Sequence, residues 1–263
     1  MVISISASQH RLDIENYLRI LCGFAVRHIL TARYRRVSAF DHQFFNKVKM
    51  IPSNRTIGIL AAGIPIWFTL LYCSMASMRP EYSHLHKAVS ELGSLDAPYG
   101  WIWNIGGYIF SGIVISLLGM GLVRNLGTSW GTKIACYSLV LSGLMMVLSG
   151  VFPGDFENRT SFTMVMHTIG ALGTFLAFLI CGFMLPGILR RNRDWRAYAW
   201  PSLALVILSI AVGFMRSGNT PGLGQRLGFA CFFAWIGLFG WGLLRNTRPI
   251  YDQSSLVQKD PKS

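Results

Sequence analysis

Six side chains of the kinds that bind metals or move protons punctuate the chain: His84, His86, Ser90, Glu91, Asp155 and His167. Two chemistries suit them. In one, His84 or His86 joins Asp155 and His167 around a divalent cation such as zinc; its bound water is activated for hydrolysis and Glu91 shuttles the proton. In the other, His167 or His86 deprotonates Ser90 for nucleophilic attack while Asp155 orients the histidine. Arg226 would hold a substrate phosphate in either case, and Asn104, at the head of an apolar run, is a second substrate contact. A third reading involves no reaction: Asp155, His167 and Arg226 form a polar network that fixes helix ends in a binding, sensing or structural protein.

What must position these groups is set by composition. Of 263 residues, 52% are hydrophobic and 13% charged, about half the charge fraction of roughly 25% found in soluble domains. The apolar residues gather in six long runs: 57–77, 101–122, 134–152, 165–189, 197–214 and 224–244. Each is close to the roughly 20 helical residues that cross a hydrocarbon core. A bilayer offers no water to backbone polar groups, so such runs are helices. A barrel would instead need alternating strands of about 10 residues. The expectation is an all-α, polytopic six-helix transmembrane bundle over residues 57–244, flanked by a basic region (1–56) and a polar, disordered tail (245–263).

Charge orients it. The chain carries 24 Lys and Arg against 11 Asp and Glu, and 19 of the basic residues lie before the first run, in the 123–133 and 190–196 loops, or after residue 244. By the positive-inside rule both termini are cytoplasmic. The net charge of +13 is therefore a topology signal, the partners expected are membrane lipids, and no stacked aromatic and basic module points to nucleic acid. The 78–100 and 153–164 connections, with His84, His86, Ser90, Glu91 and Asp155, and the adjoining helix ends with Asn104, His167 and Arg226, fall on the outer face of a cell membrane. That arrangement admits an alternative to binding or sensing, a hydrolase acting on lipid headgroups. Residues 1–49 read either as an amphipathic helix on anionic lipid or as sequence upstream of a start at Met50. Cys22, Cys73, Cys136, Cys181 and Cys231 show neither a disulfide framework nor metal-ligand spacing.

Local signals add detail. Ser83 caps a short helix that Gly93 stops, with Leu85, Val89 and Leu92 as its apolar stripe and His86 one turn from Ser90. His167 lies about one turn into the fourth run, where an ionisable group faces protein or a water-filled cavity and has a partner. Glycines 106, 107, 112, 143, 150, 170, 173, 224 and 228 allow close helix approach. Tyr99, Trp101, Trp103 and Tyr108 suit one aromatic belt, and Trp195, Trp200 and Trp241 the other.

In order, His84 to Gly93 with its Ser-Glu-Leu-Gly, Ala97 to Gly112 through Asn104, Phe152-Pro153-Gly154-Asp155, His167 and Gly224-Gln225-Arg226 make the chain similar to the DUF998 family of integral membrane proteins. The similarity spans about residues 57–244. It implies a six-helix membrane protein of a prokaryote, hence an inner membrane, and carries no settled activity. It leaves the first 49 residues outside, which favours the start at Met50.

Overall fold

Three of the helices begin at a serine whose hydroxyl accepts an otherwise orphaned backbone N–H. Ser53 takes that of Thr56 at 3.1 Å, Ser129 that of Thr132 and Ser161 that of Met164, each at 3.3 Å. These caps lie four or five residues ahead of the apolar runs, so the helices start earlier than hydropathy alone indicates. In the computed structural model, which describes residues 52–214 and 220–246, the helices are α1 (Asn54–Ser77), α2 (Gly100–Leu126), α3 (Trp130–Val151), α4 (Phe162–Leu189), α5 (Ala199–Phe214) and α6 (Pro221–Asn246). All six are long and apolar enough to cross a membrane, once the short 3-10 turn Arg196–Tyr198 is counted with α5. The protein is thus a multi-pass membrane protein. The expectations for residues 1–49 and for the tail beyond Asn246 lie outside the described residues.

Each helix packs on its neighbour in the chain and α6 closes on α1, which makes a ring. Small residues set the tightest crossings. At the α2–α3 crossing, a Cβ on Gly112 would stand 2.5 Å from the Gly143 carbonyl oxygen, and one on Gly143 would stand 2.3 Å from that of Gly112. Gly240 meets the backbone of Ala61 and Ala62 in the same way, and Gly170 that of Met145 and Ser149. Hydroxyl groups then bridge helices through the neighbouring helix's carbonyls: Ser116 to Val140 at 3.1 Å, Ser142 to Thr174 at 2.8 Å and Ser149 to His167 at 3.1 Å. In hydrocarbon such bonds take the place of the water that is absent. Gly228 departs from the expectation of close packing, since nothing lies within 4 Å of where its Cβ would be.

Three aromatic residues expected in the belts are instead core. Trp103 and Tyr108 are buried on α2 and Trp195 is buried before α5. Hydropathy reports how deep a residue lies, not which way it faces. Trp103 packs edge-on against Phe68, Tyr72 and Tyr108, and Trp195 enters the bundle at Gly242, where a Cβ would meet its ring at 2.6 Å. Tyr99, Trp101, Trp200 and Trp241 are exposed.

Over Trp103–Ile109 the α2 backbone widens into a π-helix, with the Phe110 N–H reaching back five residues to Ile105. This turn buries Trp103, Asn104, Gly107 and Tyr108. Such turns are rare and recur at functional sites.

Candidate functional site

The connection from α1 to α2 does not form the single helix expected from Ser83 to Gly93. It makes a turn over His84–Lys87, an extended Ala88, and a 3-10 helix, Val89–Gly93. Tertiary partners explain the break, because α6 supplies the hydrogen bonds that a continuous helix would have made internally. The Gly222 N–H donates to the Leu85 carbonyl at 2.9 Å, Arg226 Nη1 donates to that of Lys87 at 2.9 Å, and Gln225 Oε1 accepts the Val89 N–H at 2.7 Å. The Ser83 hydroxyl does accept the His86 N–H, at 3.3 Å, but caps only the turn.

Arg226 is the centre of this lock. Its Nε donates to the Tyr72 hydroxyl at 2.6 Å and its Nη2 to the Tyr82 hydroxyl at 2.7 Å, while its guanidinium lies 5.5 and 5.3 Å from the two ring centres. Tyr72 in turn bonds His84 Nδ1, and the Tyr82 hydroxyl donates to the Ala88 carbonyl at 2.9 Å. Burial pushes the Tyr82 phenol well up against the opposing pull of Arg226, so it stays neutral and can accept from one partner and donate to the other. Arg79 pins the same loop from α1's end, with Nε on Glu81 at 2.7 Å and Nη1 on the Glu91 carbonyl at 2.8 Å. The first of these bonds holds the exposed Glu81 carboxyl below its usual range. A lowered folded-state value means the contact is present above the ordinary carboxylate pKa and is lost only as pH falls through the lowered one.

The predicted site residues therefore separate. Glu91 accepts the Ala88 N–H at 2.7 Å and faces Lys87 at 3.7 Å, which makes it a brace of the 3-10 turn. Asp155 accepts the Asn158 N–H at 2.9 Å, a turn-capping role. Asn104 is buried and donates to the Gly93 carbonyl at 2.8 Å, tying α2 to the loop. His86 is exposed. Among the described residues no three His, Cys, Asp or Glu side chains come together as a metal-ion site would require, so His84, His86, Asp155 and His167 are not gathered around one point. Arg226, expected to hold a phosphate, makes three hydrogen bonds to protein.

Ser90 and His167 do share a place. Both line a cavity of about 410 Å³ enclosed by α3, α4, α5 and α6 and floored by the 3-10 turn. His167 Nδ1 lies 3.0 Å from the carbonyl oxygens of both Ser149 and Phe152, at the C-terminal end of α3. Both partners can only accept, so Nδ1 carries the proton, and in the neutral ring Nε2 is left as the acceptor. Asp155 does not orient this ring; the end of α3 does. His167→Leu leaves those two buried carbonyls without a partner, and each orphaned group costs about 1–3 kcal/mol. The expected result is a melting temperature lowered by several degrees, while His167→Gln, which keeps an N–H donor, recovers part of it; equal losses in both variants would refute the capping role.

The remaining polar wall joins Ser90 to residues given no chemical role on sequence grounds. The Ser90 hydroxyl lies beside the Tyr108 phenol, and Gln225, its Oε1 engaged by Val89, has its amide NH₂ to offer. Tyr72, Tyr82, Arg79 and Tyr108 look like ordinary aromatic or flanking basic residues in the sequence. The available signal was a phenol near each helix end, an apolar ring carrying one group that needs a partner. The other walls are mainly apolar, with Met146, Leu172, Phe175, Phe214, Phe229 and Phe232, and the hydroxyls of Ser149, Thr174 and Ser209 that also line it donate to backbone carbonyls. Of the apolar residues, Leu172 is 59% and Phe214 85% exposed, on α4 and α5.

Neither a curated protein nor a solved structure matches the chain. A family model described as "Protein of unknown function (DUF998)" matches residues 61–242, from α1 to the last turns of α6. It therefore takes in the loop, the π-helical turn and every wall of the cavity, and the chain belongs to the DUF998 family.

Proposed function

We propose that the protein binds a membrane amphiphile, a lipid or lipid-like small molecule, in the cavity between α4, α5 and α6. One observation carries this reading: a largely apolar pocket, with Ser90, Tyr108, His167 and Gln225 gathered at one end, is bordered by exposed apolar residues of α4 and α5. Its volume of about 410 Å³ falls within the roughly 300–1,000 Å³ of small-molecule sites. The polar group of the ligand meets Ser90, Tyr108, His167 Nε2 and the Gln225 amide, and its apolar part lies along Phe175, Phe229 and Phe232. With the positive-inside orientation, this end of the bundle is at the outer leaflet. The locked 78–93 loop then serves as the rigid floor of the site.

Gly228 supplies the test, because it lines the cavity and a Cβ there meets nothing within 4 Å. Gly228→Leu directs a side chain into the pocket from a position whose Cβ has open space. Purified protein titrated with a polarity-sensitive fluorescent acyl-chain probe is expected to lose at least about tenfold in affinity, some 1.4 kcal/mol, with an unchanged melting temperature. Full probe binding by this variant would end the proposal.

A second reading, hydrolysis of a bound lipid ester, is favoured by the shared cavity and by the tautomer of His167. An Nδ1–H held by backbone acceptors leaves Nε2 basic, the state that a serine's general base requires. Ser90→Ala distinguishes the two. Binding persists with ester turnover abolished if Ser90 is a nucleophile, whereas the binding reading expects no turnover in either protein.

A further inference from the structure

At the other end of the bundle, the segment from α4 to α5 contains Arg190, Arg191, Arg193 and Arg196. Three of them, Arg190, Arg193 and Arg196, line one recess together with Ala197 and Trp200. The Arg190 guanidinium sits over the Trp200 ring, 5.4 Å from its centre. Stacking occupies the face of a guanidinium and leaves the N–H groups along its edge to donate. Among the described residues no carboxylate forms an ion pair with these three arginines. Asp194, the segment's own acidic residue, is not part of the recess lining. Three like charges crowded into one recess repel one another, and an anion placed between them converts that repulsion into attraction.

The surroundings indicate which anion. Trp200 is 65% exposed, at the start of α5, and Phe183, on the last turns of α4, is exposed as well, so the recess lies where the apolar belt of the bundle gives way to charge. Arginine suits phosphate oxygens because its planar fork offers paired donors. An aromatic ring at this level anchors to the headgroup region. We propose that Arg190, Arg193 and Arg196, with Trp200, form a binding site for the phosphate of an anionic phospholipid. The site is independent of the cavity near Ser90.

Native mass spectrometry of the full-length protein, titrated with phosphatidylglycerol and separately with phosphatidylcholine, tests this. Arg190→Gln, Arg193→Gln and Arg196→Gln are each expected to weaken phosphatidylglycerol binding about fivefold. Arg191→Gln, in the same segment but outside the recess, should change it less than twofold, and the loss caused by Arg196→Gln should persist in the Gly228→Leu background, where the cavity is filled. All four arginines are exposed, so folding is retained, as an unchanged melting temperature will confirm. Three results overturn the site: an equal loss in Arg191→Gln, which shows diffuse charge attraction; equal binding of phosphatidylcholine; or displacement of the lipid by inorganic phosphate at comparable concentration, which assigns the recess to a soluble anion.

Discussion

Replacing Arg226 with methionine is expected to release the 78–93 loop from the bundle and to remove about 3–5 kcal/mol of stability. The side chain donates to three acceptors on two other segments, the hydroxyls of Tyr72 and Tyr82 and the carbonyl of Lys87. A hydrogen bond from a charged donor contributes about 1.5–3 kcal/mol, and three that share one group sum to less than three times that. The loss is directional, because methionine preserves much of the apolar stem but leaves the Lys87 carbonyl unpaired and the two phenols without their donor. Arg226→Lys should recover less than half, since an ammonium on a flexible stem cannot reproduce a planar fork that reaches three acceptors in different directions. Thermal unfolding gives the magnitude, and the rate of proteolysis within residues 78–93 shows where the structure opens. If the methionine variant melts with the wild-type protein and resists protease equally, Arg226 is not the lock. Because the loop is also the cavity floor, acyl-probe affinity should fall alongside the loop's protection.

The second large effect is at the α2–α3 crossing. Gly143→Leu must place a side chain where its Cβ alone would stand 2.3 Å from the Gly112 carbonyl oxygen and 2.6 Å from the Ser116 amide nitrogen. Backbone atoms cannot move aside as a flexible side chain does, so the helices separate and the Ser116 to Val140 bond is lost with the contact. Overpacking costs typically about 1–3 kcal/mol and more where backbone must shift, and the lost interhelical hydrogen bond adds about 0.6 kcal/mol. Even Gly143→Ala should be clearly destabilising. Gly228→Ala is the counterpart: a glycine in a transmembrane helix with open space at its Cβ, where alanine should be neutral or mildly stabilising by the about 1 kcal/mol difference in helix propensity. Similar melting temperatures for the two alanine variants would show that the crossing is looser than described.

The two glycines show how much of this protein can be read from residue order. Both are glycines in apolar runs and nothing in their flanks separates them. One is in van der Waals conflict with any side chain and the other faces a cavity, a difference made by elements distant in the chain. His167 is a similar case. Its depth in the fourth run predicted a partner, and it has one, but the partner is the end of α3 rather than Asp155, because the exposed carbonyls of a helix C-terminus attract an N–H donor as a carboxylate would. Ser90 and His167 were both named from their chemistry; that they border the same cavity follows from the floor that Gln225 and Arg226 hold in place.

Number, length and type of the helices were settled by the sequence itself, because a hydrocarbon solvent tolerates one kind of backbone in an apolar run of that length and imposes it locally. The expected orientation rests on charge in the intervening loops alone, each loop acting through its own residues. The helix starts were there too, in Ser53, Ser129 and Ser161, whose caps need nothing beyond the next few residues. What tertiary structure decided is everything that depends on direction around a helix axis: the burial of Trp103, Tyr108 and Trp195, the break of the 83–93 helix against α6, the dispersal of His84, His86, Asp155 and His167, and the opening of a cavity beside Gly228. A hydrophobic run specifies depth to within a turn but leaves rotation free. Rotation is set by which small residues meet and which buried polar groups find acceptors on another helix, and those are contacts between residues far apart in the chain.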